Sequence, residues 1–385
     1  MPASMNFEPT QTQLDLAEQT KNFAKLHLGK DLKERDATSQ FQIEDWKASA
    51  NQGVFGLNTP ESLGGAGHDV QTSVLMLEAL GYGCLDNGLT LAINGQVWCV
   101  QAPILEFGSD FQREKYVKAM VDGSMIGAHA MTEPESGSDA FSMKSTAEKT
   151  EGGYILNGRK IYVGMAPVAD CILAFVSTDP KRGRWGISTF IVDGNAEGVT
   201  LHPAQQKMGL RTVPTGSIEF KNVFVAEENL VGKPGAGASI FSASMDYERS
   251  FIFTSHVGSM ARQLDQAIEF AKARQQLGQS IGKFQSISNR IADMKLRLET
   301  SRLLLYRCAW LVDQGRKIPM EAAMANLHIA ESFVENSLGA VRIHGGRGYM
   351  SEFEVERDFR DAVGGVIYSG TSDIQRNLIA GLLGL

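Results

Sequence analysis

Cysteine is scarce in this chain, with four residues among 385. Cys84, Cys99, Cys171 and Cys308 are scattered, and no close pair suggests a metal site or a redox motif. We interpret them as small apolar side chains in the interior of a protein from a reducing compartment. The seven histidines show no metal-ligand spacing, so the sequence predicts no metal site.

Long hydrophobic runs are also missing. No apolar stretch is long enough to span a membrane, and the first residues, through Phe7-Glu8-Pro9-Thr10, lack the apolar centre of a signal peptide. We therefore expect a soluble, cytoplasmic protein. The net charge of −7 and the pI near 5.6 argue against nucleic acid or an anionic membrane as the main partner.

What is present is an ordinary globular composition, 43% hydrophobic and 21% charged, over a length that favours two or three domains. The first third is predicted to be helical, because apolar residues recur at helical spacing in two runs that begin near Leu14 and Val74. Between them, residues 63–67 (Leu-Gly-Gly-Ala-Gly) lack the flanking strand of a dinucleotide-binding turn and are interpreted as a loop. We place the first domain at residues 1–127.

The middle of the chain changes to a strand pattern. Apolar runs on both sides of Asn157-Gly158 predict a β-hairpin, since a type I′ turn needs positive φ at both central residues. Residues 171–176, 187–192 and 218–225 are further strand candidates. This pattern predicts a β-domain over residues 128–235.

The remainder is predicted to be helical again, over residues 236–385. One apolar stripe should end near Gly278, a second begins at Ile287, and Pro319 suits the start of a third that runs toward Gly345-Gly346. Long amphipathic helices with short connections favour a bundle. The predicted fold class is α+β, in the order α, β, α.

Several short motifs occur along the chain in a fixed order. They are Pro60-Glu61 with the Gly-rich loop, Leu77-Glu78-Ala79-Leu80-Gly81, Phe107-Gly108-Ser109, Met131-Thr132-Glu133-Pro134 with Gly137-Ser138-Asp139, and Ile367-Tyr368-Ser369-Gly370-Thr371. In this order they resemble the acyl-CoA dehydrogenase flavoproteins over nearly the whole chain. The resemblance implies an N-terminal helical domain, a middle antiparallel β-barrel or sandwich, and a C-terminal four-helix bundle. It also implies FAD at the subunit interface of a homotetramer or homodimer.

Cofactor-binding positions follow from the same resemblance. The matching residues are Met131, Thr132, Gly137, Ser138, Tyr162, Gly164, Arg274, Gln285, Arg342, Gly345, Gly346, Gly370 and Thr371. Tyr162 and Gly164 stand where relatives commonly have Trp and Thr or Ser, and Arg342 stands where they often have Gln. Taken without the resemblance, Thr132 and Ser138 could merely shape a turn, and Arg274 could be a solvated cation at a helix end.

The C-terminal motif departs from the family at Ser369, where many members carry the glutamate that removes a proton from the substrate. A serine hydroxyl without an activating partner is no base near neutral pH. One subset of the family carries its base in an Asp-x-Glu-Arg segment, which this chain has at Asp246-Tyr247-Glu248-Arg249. The resemblance therefore implies Glu248 as the base, with Asp246, Arg249 and Ser369 on the substrate side. Alone, Glu248 would be interpreted as an ordinary helix-face acid.

A narrower resemblance is to flavoproteins that oxidise acyl or aminoacyl groups held on carrier proteins in secondary metabolism, such as antibiotic biosynthesis. These include the prolyl-carrier dehydrogenases of pyrrole biosynthesis. Residues 284–290 and 293–299 share that pattern. The expected reaction is dehydrogenation of an acyl or aminoacyl thioester, held by CoA or a carrier protein. Electrons would pass to an electron-transfer flavoprotein or oxygen. The alternatives are a flavin monooxygenase on the same scaffold and a binding module without catalysis.

Overall fold

The N-terminal part of the fold is helical, as predicted. The computed structural model describes residues 8–385. The first seven residues of the predicted first domain lie outside the described residues, and they include most of the stretch considered for a signal peptide. The α-helices here are α1 Gln11–His27, α2 Leu32–Thr38, α3 Ile43–Asn51, α4 Val70–Gly83, α5 Asn87–Asn94, α6 Ala102–Phe107, α7 Asp110–Gln112 and α8 Lys118–Val121.

Two π-helices interrupt this region, at Gly95–Gln101 and Arg113–Val117. The glycine-rich segment at 63–67 follows a short 3-10 helix, Glu61–Leu63, and leads into the capped start of α4. It is therefore a loop, as the sequence predicted. At the start of α4, Asp313 accepts hydrogen bonds from the amides of Val70 and Gln71, at 2.8 and 3.0 Å, and so ties the N-terminal part to the C-terminal helices.

The middle of the chain forms one eight-stranded sheet with its own apolar core. Its strands are β1 Gly127–Ala130, β2 Thr146–Thr150, β3 Gly153–Gly164, β4 Cys171–Ser177, β5 Ile187–Asp193, β6 Val199–Leu201, β7 Thr215–Ala226 and β8 Leu230–Val231. The order is β6-β7-β3-β2-β4-β5-β8, with β1 also paired to β4. Pairing is antiparallel except for β1 with β4 and a single bridge between β2 and β4. The strands predicted at 171–176, 187–192 and 218–225 are confirmed.

The hairpin predicted at Asn157-Gly158 is wrong. Strand β3 continues through both residues, with a register shift against β7 between Leu156 and Gly158, and the hairpin turn lies at Glu151-Gly152 instead. Gly158 has φ 147°, and a Cβ there would lie 2.4 Å from Cβ of Ser145. The glycine thus permits a close approach inside the sheet rather than a turn.

The C-terminal part contains four long helices and three shorter ones. They are α9 Gly237–Phe251, α10 Thr254–Ala273, α11 Gln285–Asp313, α12 Pro319–His344, α13 Gly346–Tyr349, α14 Val355–Gly365 and α15 Ser372–Leu382. Helix α10 ends at Ala273, not near Gly278, because residues 275–280 form a small two-stranded hairpin, β9 and β10, around Leu277-Gly278. Pro319 opens α12, and Gly345 ends it with φ 60°.

Helix α9 lies where these layers meet. Met245 and Phe251 on α9 are buried, and Ile240 belongs to the apolar cluster formed with one face of the sheet. The α+β architecture is confirmed. Within residues 8–385 no helix has the length and apolar character needed to cross a membrane, and no group of three His, Cys, Asp or Glu side chains is arranged to hold a metal ion.

Candidate active site

The structure brings together two predicted site residues from distant parts of the chain. Glu248 lies on α9 and Ser369 precedes α15, and the Ser369 Oγ donates a hydrogen bond of 2.7 Å to Oε1 of Glu248. Glu248 is buried, with 9% of its surface exposed. Its Oε2 has no hydrogen-bond partner among residues 8–385. Ser369 therefore holds one carboxylate oxygen, and the other is left without a partner in the described part of the chain.

The turn that carries Ser369 is fixed from α15. Ser369 and Gly370 both have positive φ, 58° and 90°. Glycine adopts such values readily, but a serine does so only where its surroundings hold it. The buried side-chain amide of Gln375 donates to the carbonyl oxygens of Ser369 and Gly370, at 3.1 and 2.9 Å. Thr371 caps α15 by accepting from the amide of Ile374 at 3.2 Å. The Ser369 hydroxyl is thus aimed by the backbone around it.

A π-helix supplies a third side chain beside the carboxylate. Cys99 lies in the Gly95–Gln101 segment, and burial together with the nearby Glu248 carboxylate holds the pKa of its thiol well above the usual range. The thiol is therefore a neutral neighbour of Glu248 rather than a nucleophile. Nothing in the sequence distinguished Cys99 from the other cysteines, because the π-helix that turns it toward α9 has no clear sequence signal.

His129 is a second residue that the sequence analysis missed. It lies on β1, its ring stacks at 6.2 Å on Phe241 of α9, and Phe175 lies 5.2 Å away. Phe241 is two helical turns before Glu248 on the same face of α9. Burial lowers the pKa of His129, while Glu248 opposes that shift, so the imidazole is neutral near pH 7. The sequence signal available was its place two residues before Met131.

Aromatic rings pack against one another around α9 and the turn that carries Ser369. Trp98 is fully buried and packs 4.9 Å from Phe251 and 6.4 Å from Tyr247, ring centre to ring centre. Tyr368, next to Ser369, stacks 5.3 Å from Phe253 and shares a hydrogen bond of 3.0 Å with Nε2 of His256. The Glu248 carboxylate, carried on the same helix as Tyr247 and Phe251, is itself buried away from solvent.

The β-domain residues predicted at the cofactor are tied to one another by a buried lysine. The Lys160 ammonium, which has no exposed surface, donates to the carbonyl oxygens of Met131 and Phe175, at 3.1 and 2.5 Å, and to Oε1 of Glu133 at 2.7 Å. The amide of Ile161 donates to the carbonyl oxygen of Thr132 at 2.9 Å. The 131–133 segment is therefore fixed against β3.

The surface formed by this segment and β3, which we call the β-domain wall, has an open, partly aromatic edge. Tyr162, also on β3, has φ 56° and 69% of its surface exposed. A Cβ on Gly164 would meet no atom within 4 Å, and Gly137 and Ser138 are exposed in the loop that follows Met131 and Thr132. An exposed ring beside an open backbone edge is a surface suited to a planar ligand.

The remaining predicted cofactor residues collect at one end of the helical bundle. Arg274 and Gln285 flank the β9–β10 hairpin, and the Phe270 ring stacks 4.3 Å from His344, which precedes Gly345 and Gly346. All five predicted residues here are exposed: Arg274, Gln285, Arg342, Gly345 and Gly346. Within residues 8–385 no hydrogen bond or ion pair joins this group to Met131, Thr132, Gly137, Ser138, Tyr162 or Gly164.

Asp246 contacts the start of another helix, whereas Arg249 lies close enough to Glu248 and Asp246 for both charges to act on it. Burial raises the pKa of Asp246, and the backbone amide of Ile318 at the start of α12 opposes that shift. The Nε of Arg249 is buried and has no partner within residues 8–385, and burial lowers the pKa of this guanidinium. Their assignment to substrate binding stays a prediction.

Comparisons with known proteins identify the family. The chain matches the N-terminal domain of acyl-CoA dehydrogenase over residues 10–124, the middle domain over 128–223 and the C-terminal domain over 235–383. It is 38% identical over 381 residues to the L-prolyl-(peptidyl-carrier protein) dehydrogenase of Serratia sp., with 99% of each chain covered.

Solved structures agree. The prolyl acyl carrier protein oxidase AnaB is similar with a TM-score of 0.97 at 40% identity, covering 98% of this chain and 100% of that one. PigA, solved with FAD and proline, gives a TM-score of 0.96 at 38% identity, covering 99% and 100%. With this coverage at these identities, the chain belongs to the acyl-CoA dehydrogenase family.

Proposed function

We propose that this protein is an FAD-dependent dehydrogenase that acts on an aminoacyl thioester held by a peptidyl carrier protein, with Glu248 as the base. The observation that carries the proposal is the buried Glu248 carboxylate, whose Oε1 accepts from Ser369 while Oε2 has no partner in residues 8–385. Proton removal from carbon needs such a dehydrated, positioned carboxylate. A flavin monooxygenase needs none, so this geometry favours the dehydrogenase.

The residues near Glu248 suit removal of the proton next to the thioester carbonyl. Glu248 Oε2 would take that proton while Ser369 holds Oε1 in place. Because Glu248 is buried, water does not solvate its carboxylate in competition with the substrate. His129, neutral and with an unpartnered buried Nε2 in residues 8–385, offers one polar contact to the substrate.

The residues of the β-domain wall fit a flavin. Tyr162 offers an exposed ring, Gly164 an open edge, and the fixed 131–132 backbone offers polar groups. FAD, when bound there, would supply the hydride acceptor for the carbon adjacent to the one that loses its proton. Relatives whose names specify a prolyl carrier-protein substrate, and PigA with its FAD, support this assignment. The electron acceptor would be an electron-transfer flavoprotein or oxygen.

The exposed group at the end of the bundle supports assembly into a homodimer or homotetramer, for which we propose a cytoplasmic location. Arg274, Gln285 and the Gly345-Gly346 turn have no place in the pocket around Glu248, so we assign them to the cofactor of a neighbouring subunit. Leu277 beside them is 91% exposed, as expected for an apolar residue that another subunit covers. The three domains proposed are residues 1–127, 128–235 and 236–385.

Glu248→Gln tests the base. In anaerobic stopped-flow spectroscopy with a prolyl carrier-protein thioester, the variant should retain FAD absorbance but bleach at least about a hundredfold more slowly, the usual effect of losing a general base. The same change at the exposed Glu148 on β2 should leave bleaching at the wild-type rate. Wild-type bleaching by Glu248→Gln would refute the assignment, and a protein purified without FAD would revive the monooxygenase alternative.

A further inference from the structure

The turn between β4 and β5 presents a positively charged and aromatic surface. We call residues 181–185 (Lys-Arg-Gly-Arg-Trp) the basic loop, and all five residues are exposed. Trp185 is an exposed large aromatic residue, with 51% of its surface accessible, and the Arg184 guanidinium lies 4.6 Å from its ring centre. Three cations and an exposed tryptophan within five residues form the kind of surface that binds an anionic partner.

These cations are free to bind. Within residues 8–385 no ion pair or side-chain hydrogen bond to a carboxylate engages Lys181, Arg182 or Arg184. The nearest acidic residue in sequence, Asp179, uses its Oδ1 to accept from the backbone amide of Lys181 at 3.1 Å. Because the chain as a whole carries a net charge of −7, an anionic partner would be repelled by most of the surface and attracted here.

The basic loop is linked by packed rings to the helix that carries Glu248. The Arg184 guanidinium lies 5.6 Å from the ring centre of Phe141, and Phe141 packs edge-on against Phe241 at 5.7 Å. From Phe241 to Glu248 along α9 is two turns, about 10 Å. Packed rings therefore connect the basic loop to the helix that carries Glu248.

We propose that the basic loop is the docking surface for an acidic carrier protein, which places its thioester arm along α9 with the acyl end at Glu248. The anionic phosphodiester that joins such an arm to its carrier would lie near Arg184, and acidic side chains of the carrier would pair with Lys181 and Arg182. The inference rests on the proposed function, since it assumes a carrier-bound thioester as the substrate.

The test compares two substrates that share one aminoacyl group, the prolyl thioester of the carrier protein and the prolyl thioester of pantetheine, which lacks both carrier and phosphate. The variant is Lys181→Glu/Arg182→Glu, and the control is Lys221→Glu, exposed on β7 three strands away from β4. In the variant, KM for the carrier substrate should rise at least about tenfold at low salt, with kcat unchanged and the pantetheine substrate unaffected. The effect should shrink as salt increases.

Direct binding keeps the result independent of turnover. Fluorescence anisotropy of the holo-carrier protein, labelled away from its arm, should show the same loss of affinity in the double variant and none in Lys221→Glu. Unchanged carrier affinity would overturn the docking surface. The prolyl thioester of CoA is assayed as a third substrate, and an equal rise in KM for it and for the carrier substrate would also overturn the docking surface, because the loop would then bind only phosphate. A wild type that binds the carrier through this loop but oxidises no thioester would instead refute the proposed function.

Discussion

Ser369 Oγ lies 2.7 Å from Oε1 of Glu248 and donates a hydrogen bond to it, although 121 residues separate the two positions. Ser369 occupies the position at which many members of this family carry their base. The hydroxyl found here cannot replace that base, but it holds the Glu248 carboxylate in place. A position associated with proton transfer in relatives thus holds, in this chain, the carboxylate that we propose as the base.

Loss of the Ser369 hydroxyl should slow the reaction with only a small effect on the stability of the fold. Ser369→Gly removes the donor and relieves the positive φ of 58°, which glycine adopts without strain. A hydrogen bond to a charged group contributes about 1.5–3 kcal/mol, so kcat should fall roughly tenfold to a hundredfold. The melting temperature should fall only slightly, because relief of the positive φ offsets part of the lost hydrogen bond. Full activity in Ser369→Gly would show that the contact does not orient the base.

A carboxylate introduced at position 369 should partly replace the one at 248. Because Ser369 Oγ already reaches Glu248 Oε1, a longer acidic side chain at 369 enters the same pocket from the opposite wall. Glu248→Gln/Ser369→Glu should recover at least about tenfold of the rate lost in Glu248→Gln, within the range of general-base effects. The measurement is single-turnover flavin reduction. Ser369→Glu alone would place two carboxylates together and should be slower than wild type.

Lys160 should be needed to hold the cofactor wall. Lys160→Met leaves Glu133 buried without its cation, and breaking a buried pair in this way costs about 3–5 kcal/mol. Urea denaturation should show this loss, together with less FAD bound after purification, because Met131 loses its contact with β3. Lys160→Met/Glu133→Gln removes both charges and should recover much of the stability. A double variant less stable than Lys160→Met would contradict this explanation.

His256 should make the fold sensitive to acid. Burial lowers its pKa to about 4, against 6.5 unperturbed, so the folded protein binds fewer protons than the unfolded one between these values. The contribution of His256 to the free energy of unfolding is up to about 3 kcal/mol. It is fully present above pH 6.5 and is lost as the pH falls toward 4. His256→Gln should reduce the difference in unfolding free energy between pH 4.5 and pH 7, measured by denaturation. His27→Gln, at an exposed position, should leave that difference unchanged.

The comparison must be made between variant and wild type, because another buried group has the opposite sign. Burial raises the pKa of Asp361 to about 7, so its folded form binds more protons than the unfolded one from pH 3.8 to 7. That contribution favours the folded state at low pH and disappears as pH rises. An unchanged pH slope in His256→Gln would contradict the His256 prediction.

Much of the fold followed from periodicity in the sequence. Strands β4, β5 and β7 have long apolar or alternating patterns, and Pro319 and Gly345 mark the ends of α12 as proline and glycine usually do. The meeting of Glu248 with Ser369 could be inferred only from the family resemblance. No local pattern joins positions on α9 and before α15, because tertiary packing alone brings them together.

The errors arose where tertiary contacts overrode a local signal. Asn157-Gly158 has the composition of a hairpin turn, yet Ser145 on the neighbouring segment needs the space beside Gly158, and β3 continues through it. Lys160 and Glu133 pair inside the β-domain, where composition alone would place both side chains on the surface. Such pairings depend on the folded neighbourhood, which a linear pattern does not contain.

The π-helix at Gly95–Gln101 makes the pocket depend on chain length as well as on composition. A π turn holds about one residue more than an α turn, so the segment amounts to a one-residue insertion within a continuous helical stretch. Deleting a single residue there would restore α-helical winding and rotate the preceding helix by about 100° relative to α6. Cys99 and Trp98 could then no longer both face α9. In this region, an insertion or deletion is therefore more damaging to the site than most substitutions.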